Sequence, residues 1–127
     1  RVTKCLKLEK ALIGTGFPFR SFEHIDVFLS IFKELTERSS GVRRAGSAAL
    51  DLAYVACGRL DGFWEFGLAP WDMAAGCLLI SEAGGLVSDL SGGEDYLQTG
   101  NIVGGTPKVF SQLLQVIDAH RSATLRA

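Results

Sequence analysis

The chain has 127 residues, of which 47% are hydrophobic and 21% charged, a composition typical of one globular domain with a sizeable core. The formal net charge of −1 and the pI of about 6.1 give no overall basic field, which argues against nucleic acid and anionic membrane surfaces as partners but leaves room for a local basic patch. No apolar run reaches the roughly 20 residues that span a bilayer, and the basic start does not resemble a signal peptide, so we expect a cytoplasmic protein.

The cysteines and histidines do not have the spacing of a metal site. Cys5, Cys57 and Cys77 lack CxxC spacing, and two of them lie in apolar helical stretches where a thiol behaves as a small hydrophobe, so we expect reduced core cysteines. His24 and His120 stand apart among charged residues and are expected at the surface. These patterns argue against zinc and against a Ser-His-Asp triad.

The first part of the chain predicts a strand and an amphipathic helix. Residues 11–13 form a short strand that leads into a glycine-proline turn over residues 14–19. Over residues 24–38 the apolar positions fall at steps of three and four, which indicates a helix that lies on another layer of the fold. A brief extended segment opens at Val42 and ends at Arg43-Arg44.

A second helix and an aromatic strand follow. Ser47 is the expected N-cap of an alanine-rich helix over residues 48–57. Residues 63–66 are typical of an aromatic strand, and strict alternation along it would place Glu65 on the face opposite Trp64 and Phe66.

The stretch Pro70–Gly85, PWDMAAGCLLISEAGG, predicts a helix with almost no polar face, and we therefore expect it to be buried on most sides. Pro70 suits the first helical position because its ring fixes a helical φ and its missing N–H would have no partner there. Asp72 falls in the first turn, where the macrodipole favours its charge and unpaired N–H groups can hold an anion. An acid in this position also stabilises a helix by about 0.3–1 kcal/mol, so spacing alone leaves that role and a metal or phosphate site equally open.

The remaining stretches predict two strands and a last helix. Residues 86–89 and 101–103 form the strands, and Thr106-Pro107 caps an amphipathic helix that reaches Ile117, after which the tail is expected to fray. Strands that alternate with helices favour an α/β layered domain with a partly mixed sheet.

Three features lie close together in the sequence and could meet at one cavity: the turn Gly46-Ser47-Ala48, Glu65 and Asp72. They would bring backbone N–H groups, a hydroxyl and carboxylate oxygens together. Oxygen ligands suit Mg²⁺, which also retains waters and phosphate oxygens. One carboxylate cannot build such a site, and the other acids are expected in turns or in solvent: Asp61, Glu82, Asp89, Glu94 and Asp95.

These motifs resemble the inositol monophosphatase family. PWDMAAGCLLISEAGG resembles the C-terminal signature of that family, in which W-D is followed by small residues, an apolar stretch and E-A-G-G. RRAGSAALDLAYVACGRLDGFWEFG resembles the segment that precedes the signature, and GTGFPF and TGNIVGGTPKV resemble bacterial members. The resemblance covers nearly the whole chain and is weakest in the first dozen residues and the tail.

The resemblance implies a lithium-sensitive, Mg²⁺-dependent phosphomonoesterase with the layered αβαβα sugar-phosphatase-type fold, usually a homodimer. By position, Asp72 matches the aspartate that binds the second metal near the ester oxygen. Glu65 matches the acid that accepts a hydrogen bond from a substrate hydroxyl, and Gly46-Ser47-Ala48 matches the turn that contacts the substrate. The implied substrate is a small phosphate monoester, first of all inositol monophosphate, with histidinol phosphate, sugar bisphosphates and bisphosphate nucleotides as alternatives in the same superfamily.

The resemblance also has a gap. The family's acidic D-P-I/L-D-G-T loop and an upstream glutamate, both of which hold metal, have no counterpart in this chain. We therefore expect residues 1–127 to be the C-terminal α/β part of a longer enzyme, and the start at Arg1 with Met73 as the only methionine favours the same view. Alone, such a part should hydrolyse little. A regulatory binding protein that keeps the fold without turnover is the alternative, to which Arg43-Arg44 could contribute a basic contact.

Overall fold

A mixed five-stranded sheet lies at the centre of the computed structural model, which describes residues 1–17 and 23–121. The strands are β1 (Leu12–Thr15), β2 (Gly41–Arg43), β3 (Gly62–Glu65), β4 (Leu86–Ser88) and β5 (Ile102–Gly105). Their order across the sheet is β2-β1-β3-β5-β4, in which β1 runs parallel to β2 and β3 whereas β5 runs antiparallel to β3 and β4. The prediction of an α/β fold with a mixed sheet is confirmed.

Helices cover both faces of this sheet. Within the described ranges they are α1 (Ile25–Arg38), α2 (Ala48–Ala56), α3 (Pro70–Glu82), α4 (Tyr96–Thr99) and α5 (Pro107–His120), with a 3₁₀ turn at Leu8–Lys10. Buried residues of α1 and α5 form one hydrophobic core with Trp64 and Val103, and those of α2 and α3 form a second core with Phe63 and Ile102. The two cores lie on opposite faces because successive strand residues alternate. None of the helices described is long and apolar enough to cross a membrane.

Local sequence signals predicted most element boundaries well. The hydroxyl of Ser47 caps α2 by accepting a hydrogen bond from Leu50 N at 3.3 Å. Thr106 is the N-cap residue of α5, but its hydroxyl donates instead to Cys5 O at 3.3 Å. The predicted glycine-proline turn runs into residues 18–19 and the predicted frayed tail into residues 122–127, all of which lie outside the described residues.

The outer face of α3 contradicts one expectation. Met73, Gly76, Cys77 and Ile80 are buried, but Trp71 is 78% exposed and Leu78 62% exposed. The prediction that this helix is buried on most sides is therefore wrong for this chain, because α2 and the sheet cover only one side of it. We call the exposed stripe the apolar face of α3; it comprises Trp71, Ala74, Ala75, Leu78 and Leu79.

Several expectations for cysteine, histidine and acidic side chains also need correction. All three cysteines are free, as predicted, but only Cys77 is buried, because Cys57 lies at the exposed end of α2. His120 is a half-buried partner of Glu34 at 2.6 Å and not simply a surface residue. Asp89 does lie in a turn, as expected, but it is buried there and accepts hydrogen bonds from three backbone N–H groups.

Candidate active site

An open cavity of about 510 Å³ lies where β1 and β3 reach their carboxyl ends. This edge of a sheet with parallel strands is a common location for ligand sites, because the loops that leave the strands surround it. All the residues predicted from the sequence are in its wall: Gly46, Ser47, Ala48, Glu65 and Asp72. The structure thus brings together the three features that the sequence placed near one another.

The turn Gly46-Ser47-Ala48 brings the N-terminus of α2 to the cavity. Gly46 has a φ of +94°, a left-handed conformation that L side chains rarely adopt, and the chain can turn from β2 into the helix there. Ser47 is exposed and its Oγ already accepts the capping bond from Leu50 N. This end of the cavity therefore offers helix N–H groups, which favour an anion such as phosphate.

Glu65 is the last residue of β3, and its carboxylate lies against Gly16 just beyond the end of β1. A Cβ on Gly16, the residue that follows β1, would collide with Glu65 Oε1, so a glycine at this position makes room for the acid. Burial raises the pKa of Glu65 to about 7, and the nearby carboxylates of Asp51 and Asp72 add to the rise while Arg44 opposes it. At neutral pH the Glu65 carboxyl can therefore either accept or donate a hydrogen bond.

Asp51 is a buried acid that sequence reasoning missed. It lies in α2 beside Leu52 and is only 2% exposed, with its carboxyl carbon 3.8 Å from where a Cβ on Gly14 would be. Burial raises its pKa to about 6. The sequence does contain a signal for this burial. Asp51 falls in the apolar stripe of α2, and an acid in such a stripe is buried together with it. Asp51 is thus a buried acid outside the cavity wall, and its negative charge contributes to the raised pKa of Glu65.

Asp72 occupies the first turn of α3 and is half-buried. Its Oδ2 accepts a hydrogen bond from Ala69 N at 3.0 Å, which is the helix-stabilising contact that the sequence left open as one of two roles. The carboxylate also lies in the cavity wall. The two roles are compatible, because the Ala69 N–H binds only one of the two carboxylate oxygens, each of which has two lone pairs.

Arg44 supplies positive charge to the same wall. Its guanidinium carbon lies 4.6 Å from the centroid of the Phe17 ring, a cation–π contact that fixes the side chain at the edge of the cavity. Sequence reasoning considered Arg43-Arg44 only as a partner contact. The stacking partner comes from the loop after β1, which no local pattern in the sequence could identify.

The donor atoms suit Mg²⁺ in kind but not in number. Asp72 and Glu65 offer hard carboxylate oxygens, the ligand type that Mg²⁺ prefers. Over residues 1–17 and 23–121, however, no group of three or more His, Cys, Asp or Glu side chains is arranged to hold a metal ion. These residues can therefore form one side of a magnesium site.

Comparison with known proteins agrees with the fold and the motifs. The model of the inositol monophosphatase family matches residues 1–122. The Nus factor SuhB of Pseudomonas aeruginosa is 53% identical over 99% of this chain, which spans 47% of that protein.

Solved structures give the same picture. The inositol monophosphatase from Anabaena superposes with a TM-score of 0.89 at 40% identity, covering 98% of this chain and 50% of that one. The extragenic suppressor protein suhB from Bartonella henselae superposes with a TM-score of 0.88 at 44% identity, covering 92% of this chain and 45% of that one. The chain thus spans about half the length of the proteins it matches.

Proposed function

The chain belongs to the inositol monophosphatase family, and on that premise we propose that it is the C-terminal part of a Mg²⁺-dependent phosphatase that hydrolyses a small phosphate monoester. Inositol monophosphate is the first expected substrate. The observation that carries the proposal is the meeting of Asp72, Glu65 and the turn 46–48 at one cavity.

Each of these groups has a part in the proposed reaction. The N–H groups at the start of α2 bind the substrate and orient it in the cavity. Glu65 accepts a hydrogen bond from a substrate hydroxyl, which its ionised form does best, so this contact should strengthen as the pH rises through the pKa of about 7.

Asp72 would hold Mg²⁺ on the side of the leaving group. When bound, the metal supplies neutralisation of the phosphate charge, a lower pKa for the attacking water and stabilisation of the departing alkoxide. Residues of this chain then position the ester, while the groups that activate water lie elsewhere.

We propose that an N-terminal half with the D-P-I/L-D-G-T loop supplies those groups and packs against the apolar face of α3. Trp71 and Leu78 favour this arrangement, because a contiguous apolar stripe at the surface typically marks an interface. The 127-residue chain by itself should then show negligible hydrolysis. The complete enzyme is proposed to be a cytoplasmic, lithium-sensitive homodimer.

A panel of phosphate esters tests the proposal on the full-length protein. Inositol monophosphate, histidinol phosphate, a sugar bisphosphate and a bisphosphate nucleotide are compared with and without Mg²⁺. We expect Mg²⁺-dependent release of phosphate, fastest from inositol monophosphate. Strong preference for the bisphosphate nucleotide would overturn inositol monophosphate as the substrate but would leave the assignment as a phosphatase unchanged.

A regulatory role is the second candidate function. The relative that is 53% identical is named a Nus factor and not a phosphatase, and that name favours a regulatory role. A regulatory protein with this fold would release no phosphate from any ester of the panel. It would also tolerate loss of Asp72 without loss of function.

A further inference from the structure

The loop over residues 66–69 joins the two candidate carboxylates, since it begins after Glu65 and leads into the helix that carries Asp72. Its length is short enough that the conformation of the loop sets the spacing between the two acids. The groups that hold this loop are therefore able to tune the site without touching a substrate.

Two of the loop's backbone N–H groups are bound by one neighbouring segment. Gly67 N–H donates to the side-chain Oδ1 of Asn101 at 3.1 Å, and Leu68 N–H donates to the carbonyl of Gly100 at 2.8 Å. The next N–H along the loop belongs to Ala69 and donates to Asp72 itself. Three successive donors are thus bound, two of them by residues 100–101.

The sheet explains why a side chain is needed here. The antiparallel ladder of β3 and β5 ends with Glu65 opposite Ile102, so the loop beyond it has no strand partner. Asn101 immediately precedes Ile102, and its side-chain oxygen binds the Gly67 N–H just beyond the last ladder pair, while the Gly100 carbonyl binds the N–H that follows.

The backbone of the same segment fits the loop closely. Gly100 has a φ of +78°, and a Cβ on it would lie 2.5 Å from the Leu68 carbonyl oxygen, so no larger residue fits without displacing the loop. Asn101 N–H donates to Thr99 Oγ1 at 3.1 Å, and this second hydrogen bond helps to fix the orientation of the asparagine.

We propose that Asn101 is a positioning residue that sets the spacing of Glu65 and Asp72 through the Gly67 N–H. This inference rests on the proposed function, since the spacing of the two acids matters only if they bind metal and substrate. The amide side chain lies in the wall of the cavity, and its proposed role is through the backbone of the loop and not through contact with substrate or metal.

Three variants of the full-length protein test the role. Asn101→Leu keeps the approximate size and removes the acceptor, Asn101→Asp keeps an acceptor oxygen, and Gln98→Leu makes the same amide-to-leucine change at an exposed position of α4. If Asn101→Leu does not fold, Asn101→Ala removes the same oxygen without adding bulk. The readouts are hydrogen exchange of the Gly67 amide without metal, and calorimetric titration with MgCl₂.

In Asn101→Leu we expect the Gly67 amide to exchange at least about tenfold faster, because its hydrogen bond is lost. The dissociation constant for Mg²⁺ should rise about tenfold, as is typical when a residue that supports a metal ligand is removed. Asn101→Asp should keep the protection and bind Mg²⁺ no more weakly, and Gln98→Leu should change neither value.

Two results would overturn the inference in different ways. Unchanged Mg²⁺ affinity in Asn101→Leu would mean that Asn101 does not position the site. Absence of Mg²⁺ binding by the unsubstituted full-length protein would overturn the proposed function and this inference together.

Discussion

The helices on the two faces of the sheet expose different kinds of side chain to solvent. On one face, α1 and α5 turn ion pairs outward, with Glu34 bound to Arg38 at 2.8 Å and to His120 at 2.6 Å. On the other face, α3 turns Trp71 and Leu78 outward. The first pair of helices has the surface of an outer layer, whereas α3 has the surface of a helix that another layer covers.

This difference bears on the candidate site, because its groups belong to the incompletely covered side. Asp72 lies at the start of α3, and the turn 46–48 lies at the start of α2. A layer that packs on the apolar face of α3 would therefore lie next to the cavity. In our proposal the same missing half completes the core and the metal site.

The largest expected effect is that of Asp72→Asn in the full-length protein. Loss of the carboxylate should lower kcat by about 10²–10³-fold, a magnitude typical of removing one electrostatic contact to the transition state. Steady-state kinetics with inositol monophosphate measure it, and Glu82→Gln at the other end of α3 is the control. Hydrolysis at the parent rate would remove Asp72 from the site.

Asp51→Asn should stabilise the fold at neutral and alkaline pH. The pKa of Asp51 is raised from 3.8 to about 6 in the folded chain, so folding favours the protonated acid. The folded chain therefore loses stability as the pH rises from 3.8 to about 6, because the buried acid becomes charged. Asparagine avoids the charge, and the gain above pH 7 should be roughly 3 kcal/mol. Urea unfolding between pH 4 and 8 measures it.

The control for Asp51 is built into the pH series. The free energies of unfolding of Asp51→Asn and of the parent should converge near pH 4, where the acid begins to be protonated in the unfolded chain as well. A constant difference at every pH would show that the effect comes from packing and not from ionisation.

A pair of leucines compares the two faces directly. Leu78→Lys should lower the free energy of unfolding of the full-length protein by about 2 kcal/mol, since burial of a leucine contributes about 1.5–3 kcal/mol. Leu29→Lys, on the outer face of α1 where Leu29 is 48% exposed, should change it by less than about 0.5 kcal/mol. Equal small changes in both variants would show that the apolar face of α3 stays uncovered.

The smallest expected effect comes from Gly16→Ala. Its Cβ would collide with Glu65 Oε1 and displace this flexible side chain, and the weakened hydrogen bond from Glu65 to the substrate should cost about 1 kcal/mol of binding. The effect should appear as a higher KM with kcat nearly unchanged. Gly41→Ala on neighbouring β2 has ordinary contacts of 3.4 Å and should have the parent KM; the same KM in both variants would argue against a role for Glu65 in binding.

Local rules predicted the features that depend on neighbours in the chain. Alternation along β3 correctly placed Glu65 on the face opposite Trp64 and Phe66, and Ser47 was correctly identified as the cap of α2. Proline at the first helical position likewise located the start of α3 and thus placed Asp72 in its first turn.

Contacts between distant parts of the chain could not be predicted in this way. The bond from Gly67 to Asn101 joins residues 34 positions apart, and the stacking of Arg44 on Phe17 depends on how two loops meet. The apolar sequence of α3 predicted burial, but a helical pattern does not say whether the covering layer belongs to the same stretch of chain.

The most direct test of the central claim compares the full-length protein with a verified 127-residue chain under the same conditions. Phosphate release from inositol monophosphate is measured as MgCl₂ is added. We predict saturable Mg²⁺-dependent turnover by the full-length protein and negligible turnover by the 127-residue chain. Robust Mg²⁺-dependent hydrolysis by the shorter chain would contradict the claim that it forms only one side of the site.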